Sequence, residues 1–354
     1  MTNRRAWVAV ALLSSLLAAC GGASDGDQSS KVKFTKLVSF GDSLSDVGSY
    51  ATPALVASTG GGKYTVNGAS AKIWVEQLSA TLGLGAVCAA QTGLQSSGPL
   101  AALAAPTTNV AGCFGYAQGG ARVTQLVGPA NKAVLAFGDT SGYLGQLTDP
   151  VINQLNRHLA ASGGSYSGTE LVLVLAGGND VFINLGAVAA GAATPTAAVT
   201  AMGVAGAELA GYVKALVLAK GAKYVVVVNL PDVSKTPFAY GTPAATQGLI
   251  QTMSSTFNAQ LKAGLTGTAA VQVDAFTQSQ NQATNPAQYG VTNATATACD
   301  LTKATLGSLG CSAATLVAGD VSHYQFADTV HPTPFGYQLL AEYVATQMAI
   351  AGWL

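Results

Sequence analysis

The chain has 354 residues, of which 49% are hydrophobic and only 9% charged, with 16 basic residues against 16 acidic ones. That apolar fraction excludes wholesale disorder, and the length fits one large domain or two modest ones. Zero net charge without a basic run argues against nucleic acid and against a highly charged substrate, leaving room for a neutral or amphiphilic one.

In chain order, the first element is a leader. Arg4 and Arg5 form a basic start, and Ala6 to Leu17 is an apolar run too short for a comfortable membrane span. Small residues follow, which is the pattern of a signal peptide over residues 1–19. Its end, "LAAC" (Leu17 to Cys20), resembles the lipobox of bacterial lipoproteins, which implies lipidation of Cys20. "GGASDGDQSS" then has the composition of a tether within residues 20–34. By resemblance to enterobacterial sorting, Gly21 favours the outer membrane; ordinary cleavage and secretion is the alternative. The tail "MAIAGWL" leaves no room for an outer-membrane barrel, so lipidation is the expected anchor.

Residues 35–354 are expected to form a single domain. Thr35 to Phe40 is a short β-branched strand. Residues 51–115 form a Gly/Ala-rich elaboration with a helix at Lys72 to Leu82, and its part from Ala51 to Val110 is expected to shape the substrate pocket. Glu170 to Asp180 is a buried strand ending in a glycine turn. Thr194 to Lys223 is a helix, with Thr194 as N-cap and Gly221 suited to its end. Tyr224 to Asp232 is a strand, Leu249 to Leu265 a helix, Ala269 to Phe276 a strand, and Thr333 to Ile350 a terminal helix. Nearly continuous apolar strands alternating with helices predict an α/β fold, a three-layer α/β/α sandwich around a mainly parallel sheet. Four cysteines remain in this region. Proximity in sequence favours disulfides Cys88–Cys113 and Cys299–Cys311, free buried thiols being the alternative. No metal-ligand spacing is present.

Ligand sites of parallel sheets lie at the carboxyl ends of the strands. Polar breaks fall at such places in "GDS" (Gly41 to Ser43), in "GGND" (Gly177 to Asp180) and in "DTVHP" (Asp328 to Pro332), just before the last helix. A serine nucleophile needs a base, an orienting group for that base, and donors for the oxyanion. Ser43, His331 and Asp328 supply the first three, and Asn179 and a backbone N–H in "AQGGAR" supply the donors. The chain has only three histidines. His158 lies at a helix end and is read as a surface or dipole residue; His323 is the reserve base.

"FGDSLSD", "YAQGGAR", "GGND" and "DTVHPT" resemble, in order, four blocks of the GDSL esterase/lipase family of the SGNH hydrolase superfamily. "NLPDVSKTP" (Asn229 to Pro237) resembles a segment of its lipase-type bacterial branch. The resemblance implies Ser43 as nucleophile, Asp328 and His331 as its partners, and Ser43 N–H, Gly120 N–H and Asn179 as the oxyanion hole. Gly119 replaces Gly120 if the register slips by one. Gly115 stands where the family often has Asn. The implied activity is hydrolysis of lipid or other hydrophobic acyl esters, including lysophospholipase- or phospholipase A-like action, without metal or cofactor. A carbohydrate O-acetylesterase and a non-catalytic envelope lipoprotein are the rivals. Asp42, Ser45, Asp46 and Asp180 are read as structural: Asp42 in the turn, Ser45 and Asp46 in a first helical turn, Asp180 bracing the Asn179 loop.

Overall fold

A computed structural model describes residues 31–354; the leader, Cys20 and most of the tether lie outside them. The elements, in chain order, are β1 (Leu37–Gly41), α1 (Pro53–Thr59), α2 (Trp74–Thr81), β2 (Gln91–Leu94), β3 (Ala105–Asn109), α3 (Val151–Ala161), β4 (Leu171–Leu175), α4 (Gly178–Ala189), α5 (Pro195–Tyr212), β5 (Tyr224–Val228), α6 (Pro237–Tyr240), α7 (Ala244–Leu265), β6 (Val271–Val273), α8 (Ala275–Thr284), β7 (Asn293–Thr297), β8 (Tyr324–Phe326) and α9 (Pro334–Ile350).

Strands β1, β4, β5 and β6 lie side by side in that order, all parallel. A fifth backbone segment extends the β1 edge: Ser39 N–H donates to Phe114 O (3.1 Å), and Tyr116 N–H donates to Ser39 O (2.7 Å). Both faces are buried, which explains the unbroken apolar runs. Side chains alternate between the two faces. Val38, Phe40, Val172, Val174, Val225 and Val227 join one core with α3, α4, α5 and α7. Leu37, Leu171, Leu173, Val226, Val228 and Val273 join the other, with α2 and α9. This is the expected three-layer α/β/α sandwich.

The structure adjusts several boundaries. The helix predicted to start at Leu249 starts at Ala244. The Thr194-to-Lys223 helix is α-helical only to Tyr212, then passes through a π-turn (Val213–Val217) and a 3-10 turn (Leu218–Lys220). Thr194 caps it by accepting from Ala197 N–H at 3.1 Å. The 195–220 stretch is long and apolar enough to cross a membrane, but its small residues serve close packing against α7. A Cβ at Gly206 would lie 2.2 Å from Phe257 O. Both expected disulfides, Cys88–Cys113 and Cys299–Cys311, are present.

Candidate active site

β1 delivers its last residue to the carboxyl edge of the sheet in a conformation that only glycine tolerates there. Gly41 has φ +146°, and a Cβ would lie 1.8 Å from Leu175 O. Gln154 of α3 holds the same residue at both polar groups, accepting from Gly41 N–H and donating to Gly41 O, each at 2.8 Å. Asp42 then caps the 3-10 turn Ser43–Ser45 by accepting from Leu44 N–H at 3.1 Å. Burial pushes the Asp42 carboxyl up to about 6.

The turn aims Ser43 at His331: Oγ and Nε2 are 2.8 Å apart. On the other side of the ring, Nδ1 lies 3.0 and 2.9 Å from the two carboxylate oxygens of Asp328. An Nδ1–H donated to a carboxylate leaves the Nε2 lone pair facing the serine hydroxyl. Asp328 also accepts the backbone N–H groups of Ser308 (2.9 Å), Val330 (2.8 Å) and His331 (2.7 Å). Burial alone would raise its pKa. His331 and these donors outweigh burial and hold the carboxyl well below the usual range. The ring of Tyr64 packs on the imidazole at 4.8 Å, a neighbour that no motif announced.

Three of the expected donor groups keep a hydrogen that no hydrogen bond uses. Among the described residues, neither Ser43 N–H nor Gly120 N–H is spent on a hydrogen bond. Gly119 N–H, the other register, is committed to Asp46 Oδ2 at 2.8 Å, and Gly119 O accepts from Tyr50 Oη at 2.7 Å. Asn179 uses one amide hydrogen on Ala121 O at 2.8 Å, which leaves the second. Asp180 binds Arg122 Nε at 2.9 Å and Val123 N–H at 3.1 Å. The Gly119–Val123 loop is therefore held from β1's turn on one side and from α4 on the other.

Four expectations are corrected. Asp46 is not in a helical turn: it gathers the N–H groups of Gly48 (2.9 Å), Ser49 (2.7 Å) and Gly119, and so braces the glycine loop. His158 is no surface residue. It is buried among Phe40, Tyr116 and Tyr166, because α3 turns this position toward the sheet. His323 does not approach Ser43; its ring stacks on Phe335 at 4.2 Å, and Nδ1 lies 3.1 Å from Gly290 O. The 51–110 region does not line the cavity beside Ser43. Its hairpin packs into a separate cluster around Tyr50, Leu55, Leu94 and Leu144. The cavity, about 110 Å³, is mainly apolar and is lined by Phe182, Leu230, Val233, Ala275, Ala294 and Phe326, together with Ser43 and Asn179. The "NLPD" segment supplies Leu230, Pro231 and Asp232 to its wall.

A Ser–His–Asp chain at the carboxyl edge of a parallel sheet is the site architecture of serine hydrolases. Residues 37–344 match the GDSL-like lipase/acylhydrolase family model, and the chain belongs to that family. Among curated proteins it is similar to Esterase EstA of Pseudomonas aeruginosa and Esterase EstA of Pseudomonas putida. Each is 29% identical over 369 aligned residues covering 96% of this chain and 51% of the relative. The chain thus spans about half the length of the curated relatives it matches.

Proposed function

We propose that this protein is a serine esterase acting on carboxylic esters with hydrophobic acyl groups, lipid esters among them. The observation that carries this is the continuous contact from Ser43 Oγ to His331 Nε2 and from Nδ1 to Asp328. Family membership and the esterase names of the relatives support it.

His331 takes the Ser43 proton as Oγ attacks the ester carbonyl, and Asp328 stabilises the imidazolium that forms. The oxyanion is met by Ser43 N–H, Gly120 N–H and the free Asn179 amide hydrogen. His331 then returns the proton to the leaving alcohol. Water, deprotonated by the same nitrogen, hydrolyses the acyl-enzyme. The apolar cavity beside Ser43 takes the acyl chain. Its lining favours an alkyl chain over a sugar-bound acetyl group.

The test is hydrolysis of p-nitrophenyl esters from acetyl to palmitoyl. Turnover is expected to peak beyond acetyl and to fall at least about 10³-fold in Ser43→Ala. Equal turnover in both proteins removes Ser43 as nucleophile, and an acetyl maximum transfers the assignment to O-acetylesterase. The protein is further proposed to be exported and anchored through lipidated Cys20, on the lipobox pattern of Leu17 to Cys20. Wild type should stay with membranes through a high-salt wash that releases Cys20→Ala; retention of both counts against the anchor.

A further inference from the structure

Six lysines gather at the edge of the sheet opposite the active site. β1, β4 and β5 run parallel, so the residues preceding them share one end of the sheet. Lys31, Lys33 and Lys36 lie on the segment that enters β1, and Lys220 and Lys223 precede β5. Lys214 sits on the π-turn that continues α5 toward the same end. These segments touch one another. Thr35 N–H donates to Thr169 O at 3.0 Å, and Tyr166 N–H to Lys220 O at 2.8 Å. The Phe34 ring packs on Tyr224 at 5.3 Å, and Lys214 and Lys223 border one hollow.

Lys31, Lys33, Lys214, Lys220 and Lys223 are exposed, and none forms an ion pair among the described residues. Lys36 lies 3.9 Å from Glu170. That carboxylate is buried and already accepts from Ser167 and Gly168 N–H, so it neutralises little of the patch. Four carboxylates, Asp42, Asp180, Asp232 and Asp274, lie just beyond the opposite strand tips. The exposed, unpaired lysines are therefore concentrated at the end of the sheet away from the site.

We propose that this lysine face docks on an anionic lipid surface and holds the active site turned away from it. Charge complementarity selects the partner. Each lysine held near an anionic leaflet contributes about fivefold to partitioning, and the effect fades within a Debye length of about 8–10 Å. All six cations are lysines. None has the planar fork that reads nucleic-acid phosphates pairwise, and diffuse attraction to headgroups needs no fork. The face also carries the segment through which residue 31 joins the preceding chain, so an acyl anchor at Cys20 and the lysines would act on the same end. With the 17-residue α9 running the height of the layer, the reacting serine stands on the order of 25 Å from the headgroups. Such an enzyme works on esters presented from outside its own leaflet.

The experiment is sedimentation of the full chain carrying Cys20→Ala with vesicles of phosphatidylcholine, with or without phosphatidylglycerol, at low and high salt. Binding is expected only with phosphatidylglycerol and only at low salt. The triple variant Lys214→Glu, Lys220→Glu, Lys223→Glu should bind at least about tenfold more weakly, with the Lys→Gln triple in between. Both should keep the parent's melting temperature and its turnover of a soluble short-chain ester. Equal binding of the Lys→Glu triple, or no binding at low salt, overturns the proposal. Capture of heparin without vesicle binding also overturns it and gives the face to a polymeric anion. The melting temperature reports folding independently, so failure of the esterase assignment cannot be mistaken for failure of this one.

Discussion

Gly119 gives up both of its backbone groups to neighbouring side chains, and that favours Gly120 as the donor in the proposed oxyanion hole. Its N–H goes to Asp46 and its carbonyl to Tyr50. The next N–H, on Gly120, is then presented unspent. Gly120 has φ +77°, and a Cβ there would lie 2.6 Å from Thr148 Cγ2, so no other residue fits. On that proposed assignment Asp46 is a positioning residue, acting on the reaction only through the loop. Four donors converge on its carboxylate, namely the N–H groups of Gly48, Ser49 and Gly119 and the Ser49 hydroxyl. Asp46→Asn keeps the shape but turns an NH₂ toward a donor, so the Gly119 bond fails. Loss of an oxyanion donor costs about 10²–10³-fold; a displaced donor should cost about 10–10²-fold in kcat with KM nearly unchanged. Steady-state kinetics on one p-nitrophenyl ester checks this. An unchanged kcat would mean that the contacts from Tyr50 and α4 hold the loop without Asp46.

At the scale of elements, the two disulfides fasten segments that carry site groups but have little core of their own. Cys88–Cys113 spans 25 residues and closes the base of the β2–β3 hairpin. Gly115 follows it, pairing with both Ala89 and Ser39, and leads directly into the glycine loop. Cys299–Cys311 spans 12 residues and encloses Ser308, whose N–H binds Asp328. Opening the first should cost roughly 3–4 kcal/mol and the second about 3 kcal/mol. Paired Cys→Ser variants, followed by thermal unfolding and ester turnover, should show the Cys88–Cys113 loss lowering both melting temperature and kcat. A lowered melting temperature with kcat intact at 25 °C would detach the hairpin from the Gly119–Val123 loop. These segments also mark where the sequence was legible. β1, β4 and β5 could be read because strands buried on both faces are apolar throughout. The Gly115 edge could not, since "CFGYAQGG" shows neither alternation nor an apolar run and pairs only through a few bonds to β1 and Ala89. α7 begins five residues early because its first turn, "AATQG", is small and polar. Ser43, Asn179, Asp328 and His331 stood out as polar breaks in a histidine-poor chain. The cavity did not, because its wall is assembled from segments scattered between residues 42 and 340. The lysine face stayed hidden for the same reason, its charges coming from three separate stretches.

Stability belongs to the whole molecule, and two buried groups near β1 pull its pH dependence in opposite directions. The His158 ring sits between Phe40, Tyr116 and Tyr166, and neither of its nitrogens has a hydrogen-bond partner among the described residues. Burial, aided by Lys36, lowers its pKa to about 4. An unfolded chain binds this proton near pH 6.5. As pH falls from 6.5 to 4 the unfolded state gains a proton that the native state refuses. Stability is therefore lost over that window, by up to about 3 kcal/mol at 1.36 kcal/mol per pH unit. Asp42 works the other way. Its folded value of about 6 lies above the ordinary 3.8, so its buried charge is relieved as pH falls through 6. Between pH 4 and 6.5 these two effects oppose each other. His158→Phe removes only the first. Any packing penalty of the larger ring is the same at every pH, so the informative quantity is a difference of differences. Urea unfolding at pH 8 and pH 5 should show the variant gaining about 1–2 kcal/mol relative to wild type at the lower pH. The same offset at both pH values would mean that His158 takes up its proton in the folded protein as readily as in the unfolded chain, and that the aromatic cage does not exclude the charge.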